Sequence, residues 1–308
     1  MKSFNEVYEH VYKESFEELE TLRRESKTKF LKSIITICVV VFITLIIIKE
    51  TAGINYYSFQ TLLPFCFVAV VILIIIMVAT SKSKYVPTFK EKVIKPFVKN
   101  IDKNLEYNPQ GGIPSRLYRM GEFERYDNYY TEDLIKGKLD ERFNFQMAEV
   151  KTEIETTDSE GHTQTSIVFY GLFGNVECAK NIGTNFKVRS DKGILGKMLQ
   201  GKTKVEMDSQ EFEKYFDVYG DNKITVMQIL TSEVMATMID FIEQSKIKYE
   251  LTINGDQIYI RFHTGGVFEP KLFKSSLDYD MLKKYYDIID FVFKVTREIN
   301  KVIENTDI

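Results

Sequence analysis

Two long apolar runs near the N-terminal end of the chain constrain its fold more than any other feature. Residues 31–48 read LKSIITICVVVFITLIII and contain one charge, Lys32, at their edge. Residues 59–80 contain no charge. Each run of about 18–22 residues is long enough to cross a hydrocarbon core of about 30 Å as an α-helix. The sequence therefore predicts two transmembrane helices, at 31–48 and 59–80, that form a hairpin with a short external loop.

Basic residues on the outer flanks of the two runs predict their orientation. Five Lys or Arg residues lie at or before the start of the first run and five follow the second, whereas the loop between them offers only Lys49. The flanking residues are Arg23, Arg24, Lys27, Lys29 and Lys32 on one side, and Lys82, Lys84, Lys90, Lys92 and Lys95 on the other. Because Lys and Arg near membrane spans favour the cytoplasmic side, both chain termini are predicted to be cytoplasmic.

Residues 1–30 form a separate amphipathic segment. Apolar side chains recur at intervals of three and four, as on one face of an α-helix; they are Phe4, Val7, Tyr8, Val11, Phe16, Leu19 and Leu22. The polar face is acidic at first and basic only at its end, whereas a helix that lies on a membrane carries Lys and Arg along its length. We therefore expect this helix to pack on protein, either on the chain's own cytoplasmic domain or on a partner helix.

Residues 85–308 carry the mixed patterns of a cytoplasmic α+β domain. Alternating or β-branched apolar residues predict strands around Phe143–Met147 and in the segments SIVFYGLF, TKVEMD and ITVMQIL. Gly171 and Gly174, inside SIVFYGLF, indicate a bulge or a close approach between backbones. The segment YELTINGDQIYIRF predicts a β-hairpin with Asn254 and Gly255 as a two-residue type I′ turn.

Helical patterns accompany these strands. The segment TFKEKVIKPFVKNIDKNL predicts a helix that Pro96 kinks or divides. The segment DSQEFEKYF predicts a short helix with Asp208 as its N-cap and Glu211 three residues on, and Thr231 or Ser232 opens another helix. A long amphipathic helix closes the chain. Strands followed by helices, with a tight hairpin, are typical of an antiparallel sheet with helices on one side, so the predicted fold class is α+β.

Residues 196–203, GKMLQGKT, match the phosphate-binding pattern G-x-x-x-x-G-K-[ST]. The match makes Gly196, Gly201, Lys202 and Thr203 candidates for binding a nucleotide or another anion. In a phosphate-binding loop, however, a helix begins at the Lys-Thr pair and points its N-terminus at the phosphate, whereas TKVEMD predicts a strand. We therefore favour a basic connecting loop, whose lysines are candidates for contact with anionic lipid headgroups. The lysines available for this contact are Lys192, Lys197, Lys202 and Lys204.

The remaining chemistry of the sequence is sparse. None of the three cysteines or three histidines forms a pair with metal-ligand spacing, so the sequence predicts no metal site and no cofactor. Cys178 would be a nucleophile only if His263 lay beside it in the fold. The cysteines suggest no disulfide framework, and the net charge of -3 gives no reason to expect a nucleic-acid partner.

Four segments, taken in order, resemble a known family. They are IDKNLEYNPQGGI, FYGLF, VEMDSQEFEKYFDVYGDNKITVMQILTSEVM and YIRFHTGGVFEP. Over most of residues 85–295 the chain is similar to the bacterial membrane family named domain-of-unknown-function 3137, and the paired apolar runs fit the same family. The resemblance implies a bacterial inner-membrane protein. It implies no activity, so no catalytic residue follows from it.

Together these features predict a multi-pass protein of the inner (cytoplasmic) membrane, with domains at 1–30, 31–80 and 85–308. The predicted function is that of a binding, scaffold or regulatory module rather than an enzyme. Its predicted partners are the lipid bilayer and a protein partner or second copy bound through the amphipathic helices. Two alternatives stay open: a membrane-tethered domain that binds lipid, and a membrane-tethered enzyme that uses residues 196–203.

Overall fold

The computed structural model describes residues 1–51, Val68, residues 70–73, residues 84–190 and residues 203–306. Most of the second predicted membrane helix, at 59–80, therefore lies outside the described residues. The chain divides into two compact units. Unit 1 contains Met1–Tyr8, Ile94–Phe268 and Tyr279–Ile308, and unit 2 contains Glu9–Val93 and Glu269–Asp278.

The described chain contains helices at both ends and a run of strands in its middle part. The helices are α1 (Phe4–Thr51), α2 (Tyr85–Phe89), α3 (Lys95–Ile101), α4 (Ser115–Met120), α5 (Gln210–Tyr215), α6 (Lys223–Ile229), α7 (Ser232–Ser245) and α8 (Tyr279–Asn305), with a π-helical turn at Lys90–Ile94. The strands are β1 (Glu106–Asn108), β2 (Asn128–Leu139), β3 (Phe143–Thr157), β4 (Thr163–Glu177), β5 (Asn185–Arg189), β6 (Thr203–Val205), β7 (Asp217–Gly220), β8 (Tyr249–Asn254) and β9 (Gln257–Phe262).

Unit 1 is built on an antiparallel sheet. Within the described residues, nine strands form this sheet in the order β1-β2-β3-β4-β9-β8-β5-β7-β6. Strands β1 to β4 follow one another as a meander, and β4 then pairs with β9, which lies far along the chain. The predicted α+β class with an antiparallel sheet is confirmed. Strands β3 and β4 and the hairpin of β8 and β9 lie where the sequence predicted them.

Aromatic side chains join the sheet to the C-terminal helices of unit 1. Tyr249 of β8 and Phe262 of β9 contact Phe241 of α7, and the ring of Phe241 stacks on Phe291 of α8 with centroids 4.1 Å apart. The hydroxyl of Tyr249 also donates a hydrogen bond to the carbonyl of Met238 at 3.1 Å. Full burial of each such side chain stabilises the fold by about 1.5–3 kcal/mol, so this group holds the helices on the sheet.

Most of the segment ITVMQIL lies in helix α6 and not in the predicted strand. The side chain of Asn222 accepts hydrogen bonds from the amides of Ile224 and Thr225, at 3.0 and 3.3 Å, and so caps the helix. Val226 and Ile229 are buried at a spacing of three residues, whereas Ile224 is 71% exposed. The strand prediction was wrong because it followed the β-branched composition, while the cap and the spacing of the buried positions favour a helix.

The hairpin of β8 and β9 forms as predicted, but with a different turn. Asn254 pairs with Gln257, so the two loop residues are Gly255 and Asp256 and not Asn254 and Gly255. Of the two, Gly255 has a positive φ of 64°. One left-handed residue at the first loop position is the pattern of a type II′ turn. The side chain of Asn254 donates to the carbonyl of Met120 at 3.0 Å, which helps to keep Asn254 in the strand.

Two helices of unit 1 begin with the predicted capping chemistry, one of them at a shifted position. Thr231 caps α7, where its hydroxyl accepts a hydrogen bond from the amide of Val234 at 3.4 Å. Helix α5 is capped by Ser209 and not by Asp208, and the hydroxyl of Ser209 accepts from the amide of Phe212 at 3.2 Å. Because Ser and Asp are about equally good N-caps, composition does not choose between these neighbours.

Two glycines of β4 let neighbouring backbones approach closely, as the sequence indicated. A Cβ on Gly171 would lie 2.0 Å from the carbonyl oxygen of Phe262, and one on Gly174 would lie 2.7 Å from that of Gln146. Contacts under 3.0 Å are essentially never made by a Cβ. Strands β4 and β9 can therefore lie this close together at residue 171 only because that residue has no side chain.

We expect Gly171→Ala to destabilise unit 1 by about 1–3 kcal/mol, the range for overpacking a well-packed site, because the new methyl group meets backbone atoms. The matched control is Gly161→Asn in the loop between β3 and β4. Nothing lies within 4 Å of the Cβ position there, and the φ of 86° is one that Asn adopts more readily than most residues. Urea denaturation measures the free energy of unfolding of both variants. Equal losses of stability in the two would contradict a close approach of backbones at Gly171.

Unit 2 is organised around α1. The predicted amphipathic segment and the first apolar run belong to one continuous helix of 48 residues, which unit 2 contains from Glu9 onward. The buried positions of this part of α1 are Val11, Ser15, Leu19, Ser26 and Phe30. The hydroxyl of Ser15 donates to the carbonyl of Lys92 at 2.8 Å. This face of α1 therefore packs within the chain, against the segment that contains α2 and the π-helical turn.

The helix predicted around Pro96 is divided, as expected. The π-helical turn separates α2 from α3, and Pro96 lies in the first turn of α3. Proline has no N–H to donate and crowds the carbonyl four residues before it. The regular α-helical hydrogen bonds therefore cannot run through this point, and a wider turn precedes the proline.

The loop Glu269–Asp278 is fastened to α1 within unit 2. Arg23 donates from Nη1 to the carbonyl of Leu272 at 2.9 Å, and the amide of Ser276 donates to Glu20 Oε2 at 3.4 Å. Arg23 also pairs with Glu20, with Nη2 at 2.5 Å from Oε1. Hydrogen bonds from Arg23 lower the pKa of Glu20 to about 2. Glu20 is therefore ionised at neutral pH and links the loop to the helix.

Glu20→Gln should destabilise the chain by on the order of 1 kcal/mol at neutral pH, because it removes the charge from a surface ion pair. A carboxyl group whose pKa is lowered on folding stabilises the protein above its unfolded pKa of about 4.3, and this contribution is lost as the pH falls towards about 2. The difference in the free energy of unfolding between the variant and the wild type, measured by urea denaturation, should therefore become smaller as the pH falls through that range. Glu14→Gln, at a half-exposed position on α1, is the control. A difference in the free energy of unfolding between Glu20→Gln and the wild type that does not change with pH would contradict the lowered pKa of Glu20.

Candidate functional site

Charged side chains of three adjacent strands meet on one face of the sheet in unit 1. Arg189 of β5 lies opposite Glu250 of β8, and Glu250 lies opposite Arg261 of β9. Directly opposed residues of antiparallel strands share a face and are close enough for contact. Glu124, from the segment between α4 and β2, completes the group. We call these four residues the Arg261 cluster.

The guanidinium of Arg261 is enclosed by hydrogen-bond acceptors. Its Nη2 donates to Glu250 Oε1 and to Glu124 Oε1, each at 2.5 Å, and its Nη1 donates to the hydroxyl of Tyr118 at 2.9 Å. Arg189 Nε lies 3.3 Å from Glu250 Oε2. Arg261 is only 1% exposed, so protein groups and not water balance its charge.

The segment from Met120 to Glu124 is clamped over this face of the sheet. Side chains of β5 and β8 donate hydrogen bonds to its backbone carbonyls: Lys187 to Glu122, Thr252 to Gly121 and Asn254 to Met120. The ring of Phe123 lies 4.3 Å from Arg261 Cζ, a cation–π contact. The Arg261 cluster and these donors therefore act together as a structural clamp.

Both carboxyl groups of the cluster are held in their ionised form. Burial would raise the pKa of Glu250, but the charges of Arg261 and Arg189 and the contact with His263 outweigh it and hold the pKa well below its usual value. In Glu124, burial is outweighed by the hydrogen bonds and charge of Arg261, which lower the pKa. A general acid or base works best with a pKa near the operating pH. The cluster is therefore poorly suited to proton transfer.

Cys178 and His263 are held apart by strand β9. The amide of Cys178 donates to the carbonyl of Asp256 at 2.8 Å, just before β9, whereas His263 follows the last residue of that strand. Six strand residues span about 20 Å. Burial raises the pKa of the Cys178 thiol to about 12, so the thiol is protonated at neutral pH. The hypothesis of a Cys178–His263 nucleophile is therefore wrong.

Two of the residues predicted to bind an anion or lipid headgroups are described, Thr203 and Lys204. Lys192, Gly196, Lys197, Gly201 and Lys202 lie outside the described residues. Thr203 is the first residue of strand β6. Lys204 Nζ lies 2.8 Å from Asp217 Oδ1, and the hydrogen bond with Asp217 raises the pKa of Lys204. The nucleotide and headgroup roles of this segment stay predictions.

The second half of α1 exposes its apolar side chains. None of residues 31–44 is buried. Large apolar side chains that are 43% to 65% exposed are Leu31, Ile35, Val39, Val40, Phe42, Ile43 and Ile46. Among the described residues, no single helix meets the length and hydropathy of a membrane span, and α6 with α7, bent by 71°, meets them only as a pair. The apolar surface of α1 is thus not covered by any described part of the chain.

Open grooves with charged walls lie in each unit. A groove of about 990 Å³ in unit 2 is lined by Glu14, Glu17 and Lys84 among others. A second groove, of about 800 Å³ in unit 1, includes Lys136 and Glu177. A small-molecule pocket is usually lined by apolar side chains, and charged side chains line both of these. Within the part of the chain that the structure describes, no group of three or more His, Cys, Asp or Glu residues could hold a metal ion.

Comparison with known proteins places three of the four residues of the Arg261 cluster within a matched region. The sequence model of the family described as "Protein of unknown function (DUF3137)" matches residues 167–301. The match supports the family resemblance. It runs from β4 into α8 and contains Arg189, Glu250 and Arg261 but not Glu124. The bacterial source and the membrane location stay predictions.

A search of solved structures finds a similarity to the crystal structure of the mycobacterial trehalose monomycolate transport factor A, TtfA. The identity is 8% and the TM-score 0.31, with 65% of this chain and 86% of that chain covered. A TM-score this low supports no conclusion about fold or function. No curated protein matches the chain.

Arg261→Met should destabilise unit 1 by about 3–5 kcal/mol, because it leaves the buried carboxylate of Glu250 and the partly buried carboxylate of Glu124 without their main partner. The matched control is Arg297→Met. Arg297 makes an equally well-formed pair with Asp140, with Nη2 at 2.6 Å from Oδ1, but both side chains are more than 40% exposed. Removing a surface pair costs about 1 kcal/mol or less. Urea denaturation compares the two variants, and similar losses would contradict a buried clamp at Arg261.

Proposed function

We propose that the chain is a membrane-anchored binding or scaffold module, with α1 as the anchor and unit 1 as the part that contacts other molecules. The observation that carries the proposal is the apolar surface along α1 from Leu31 to Ile46. An exposed apolar surface of this extent marks a site of contact with a membrane or with protein. A helix of 21 residues, from Leu31 to the end of α1 at Thr51, is about 31 Å long, which matches the hydrocarbon thickness of a bilayer.

The flanking charges support a cytoplasmic location for unit 1 and for the polar part of unit 2. Lys and Arg residues precede the apolar run on α1, and others follow the second apolar run of the sequence. In the proposed arrangement the second run, at 59–80, returns the chain to the same side of the membrane. Because α1 is continuous, the anchor is joined to the polar part of unit 2 without a flexible linker.

The chemistry of the described residues favours binding over catalysis. The carboxylates of the Arg261 cluster are locked in ion pairs, and the thiol of Cys178 is protonated at neutral pH. Charged groups that serve as structural supports are not free to exchange protons with a substrate. This is the physical basis for proposing a scaffold and not an enzyme.

An exposed face of the long β2–β3–β4 meander offers a surface for a partner. Tyr130 is 53% exposed and Ile167 is 58% exposed. Register places them on one face, since Tyr130 pairs with Lys151, Ile167 pairs with Glu153, and alternate residues of a strand share a face. By contrast, the apolar stripe of α8 is buried within unit 1. We propose that a protein partner or a second copy contacts this face of the meander.

Membrane retention tests the anchor. The full chain, expressed in bacteria, should stay in the membrane pellet after alkaline carbonate washing. A variant that combines Ile35→Asp, Val39→Asp and Phe42→Asp with Val68→Asp and Ile72→Asp places charges in both apolar runs. It should be released, because each Asp costs about 2.5–3.5 kcal/mol at the centre of a spanning helix. Tyr12→Asp, on the same helix but before the apolar run, is the matched control. Release of the wild-type chain, or a C-terminal reporter that is active only outside the cytoplasm, would contradict the proposal.

A further inference from the structure

The loop Glu269–Asp278 of unit 2 presents an aromatic side chain outward. The amide of Lys274 donates to the carbonyl of Lys271 at 3.2 Å, which closes a tight turn whose two central residues are Leu272 and Phe273. Phe273 is 60% exposed, whereas Leu272 and Leu277 are buried. The two leucines therefore hold the loop from within, and the turn directs Phe273 and the exposed Lys271 and Lys274 away from the unit.

This tip lies beside the point on α1 where the polar part of the helix gives way to the apolar part. The ring of Phe273 contacts that of Phe30 edge-on, with centroids 5.9 Å apart, and Lys27 Nζ lies 5.5 Å from its centroid. Phe30 immediately precedes Leu31, the first residue of the exposed apolar surface. Arg23 fixes the loop at this level through its hydrogen bond to Leu272.

The composition of the tip is that of a membrane interface. Aromatic rings concentrate at the level of lipid headgroups, and lysines near an anionic membrane surface are attracted to it. Lys27 lies over the ring of Phe273, and Lys271 and Lys274 flank Phe273 in the turn. Of these, Lys274 also pairs with Asp278 at 3.3 Å. A phenyl ring that is 60% exposed in water gains by entering the interface.

We propose that Phe273 and its flanking lysines form a second membrane contact, in which the loop tip enters the headgroup layer of an anionic bilayer beside α1. This inference rests on the proposed function, because it requires α1 to be the anchor. A protein partner could also cover Phe273. The cations around the ring and its position at the start of the apolar surface favour anionic lipid.

The absence of tryptophan from the sequence allows a direct test. Three single-tryptophan variants of the full chain, F273W, F42W and Y12W, are reconstituted in vesicles of phosphatidylcholine with phosphatidylglycerol. The vesicles carry lipids brominated either near the glycerol backbone or near the chain ends, which quench indole emission at short range. Tyr12 lies about 28 Å along α1 from Leu31, and Phe42 lies about 17 Å beyond Leu31 into the apolar run. Y12W is therefore the unquenched control and F42W reports on the anchor itself.

The expected pattern has two parts. F42W loses most emission with the deep quencher, and F273W loses emission with the shallow quencher, as expected for a side chain that enters about 5–10 Å into the interface. Loss of quenching in F42W would overturn the anchor and with it the inference. If F42W is quenched and F273W is not quenched beyond the Y12W level, the inference alone is overturned. A blue-shifted but unquenched F273W would assign the tip to a contact with a second copy of the chain, the only protein in the vesicles.

A charge variant tests the lipid class. In the F273W background, Lys271→Gln with Lys274→Gln should reduce shallow quenching in vesicles that contain phosphatidylglycerol. In vesicles of phosphatidylcholine alone it should change little, because no anionic lipid is present to attract the lysines. Lys13→Gln with Lys223→Gln, which alters two exposed lysines outside the flanks of the apolar runs, is the matched control and should leave the quenching of F273W at its original level. Equal quenching in both lipid mixtures, whatever the lysines, would contradict the role of anionic lipid.

Discussion

The pairing of β4 with β9 is the interaction on which the rest of unit 1 depends. It joins the meander of β1 to β4 to the other five strands, and it pairs Leu172 with Phe262, residues that are far apart in the chain. The close approach at Gly171 falls beside this pair. The same register sets Phe173 next to Arg261. One strand pairing thus determines three features: the continuity of the sheet, the need for glycine at position 171 and the position of the Arg261 cluster.

The buried charges make that register difficult to change. Moving two charges out of water is costly, and the cluster offsets the cost with paired, hydrogen-bonded geometry. A slip of one residue would turn Glu250 and Arg261 to the opposite face of the sheet, where Phe241 and Phe291 offer no polar partner. The cluster therefore disfavours the alternative registers more strongly than it stabilises the native one. This explains why strands buried on both faces retain a band of charged residues.

The sequence located most elements but missed the site, and the reason lies in one turn. Placing the turn at Asn254 and Gly255 would set Glu250 opposite Tyr259, whereas the actual turn at Gly255 and Asp256 sets it opposite Arg261. With the correct turn, opposite charges inside a buried hairpin would have pointed to an ion pair. Arg189 and Glu124 join from other segments, and no local pattern places them. The same limit applies to α6, whose β-branched residues indicated a strand until the cap at Asn222 was known.

In the proposed arrangement, the level of the membrane along α1 is set by chemistry at a single helical turn. Phe30 and Phe273 meet there, with Lys27 beside them and Lys32 just beyond. Moving the bilayer by one heptad, about 10 Å, towards unit 2 would place Lys27 and the loop lysines in hydrocarbon. Moving it the other way would return Leu31 and Ile35 to water. The alkyl stem of a lysine can lie along apolar surface while its charge reaches the headgroups. Lys32 can therefore lie just inside the membrane boundary without placing its charge in hydrocarbon. A rigid helix with a fixed level holds unit 2 against the membrane surface, and the loop tip is the part of that unit already placed to meet it.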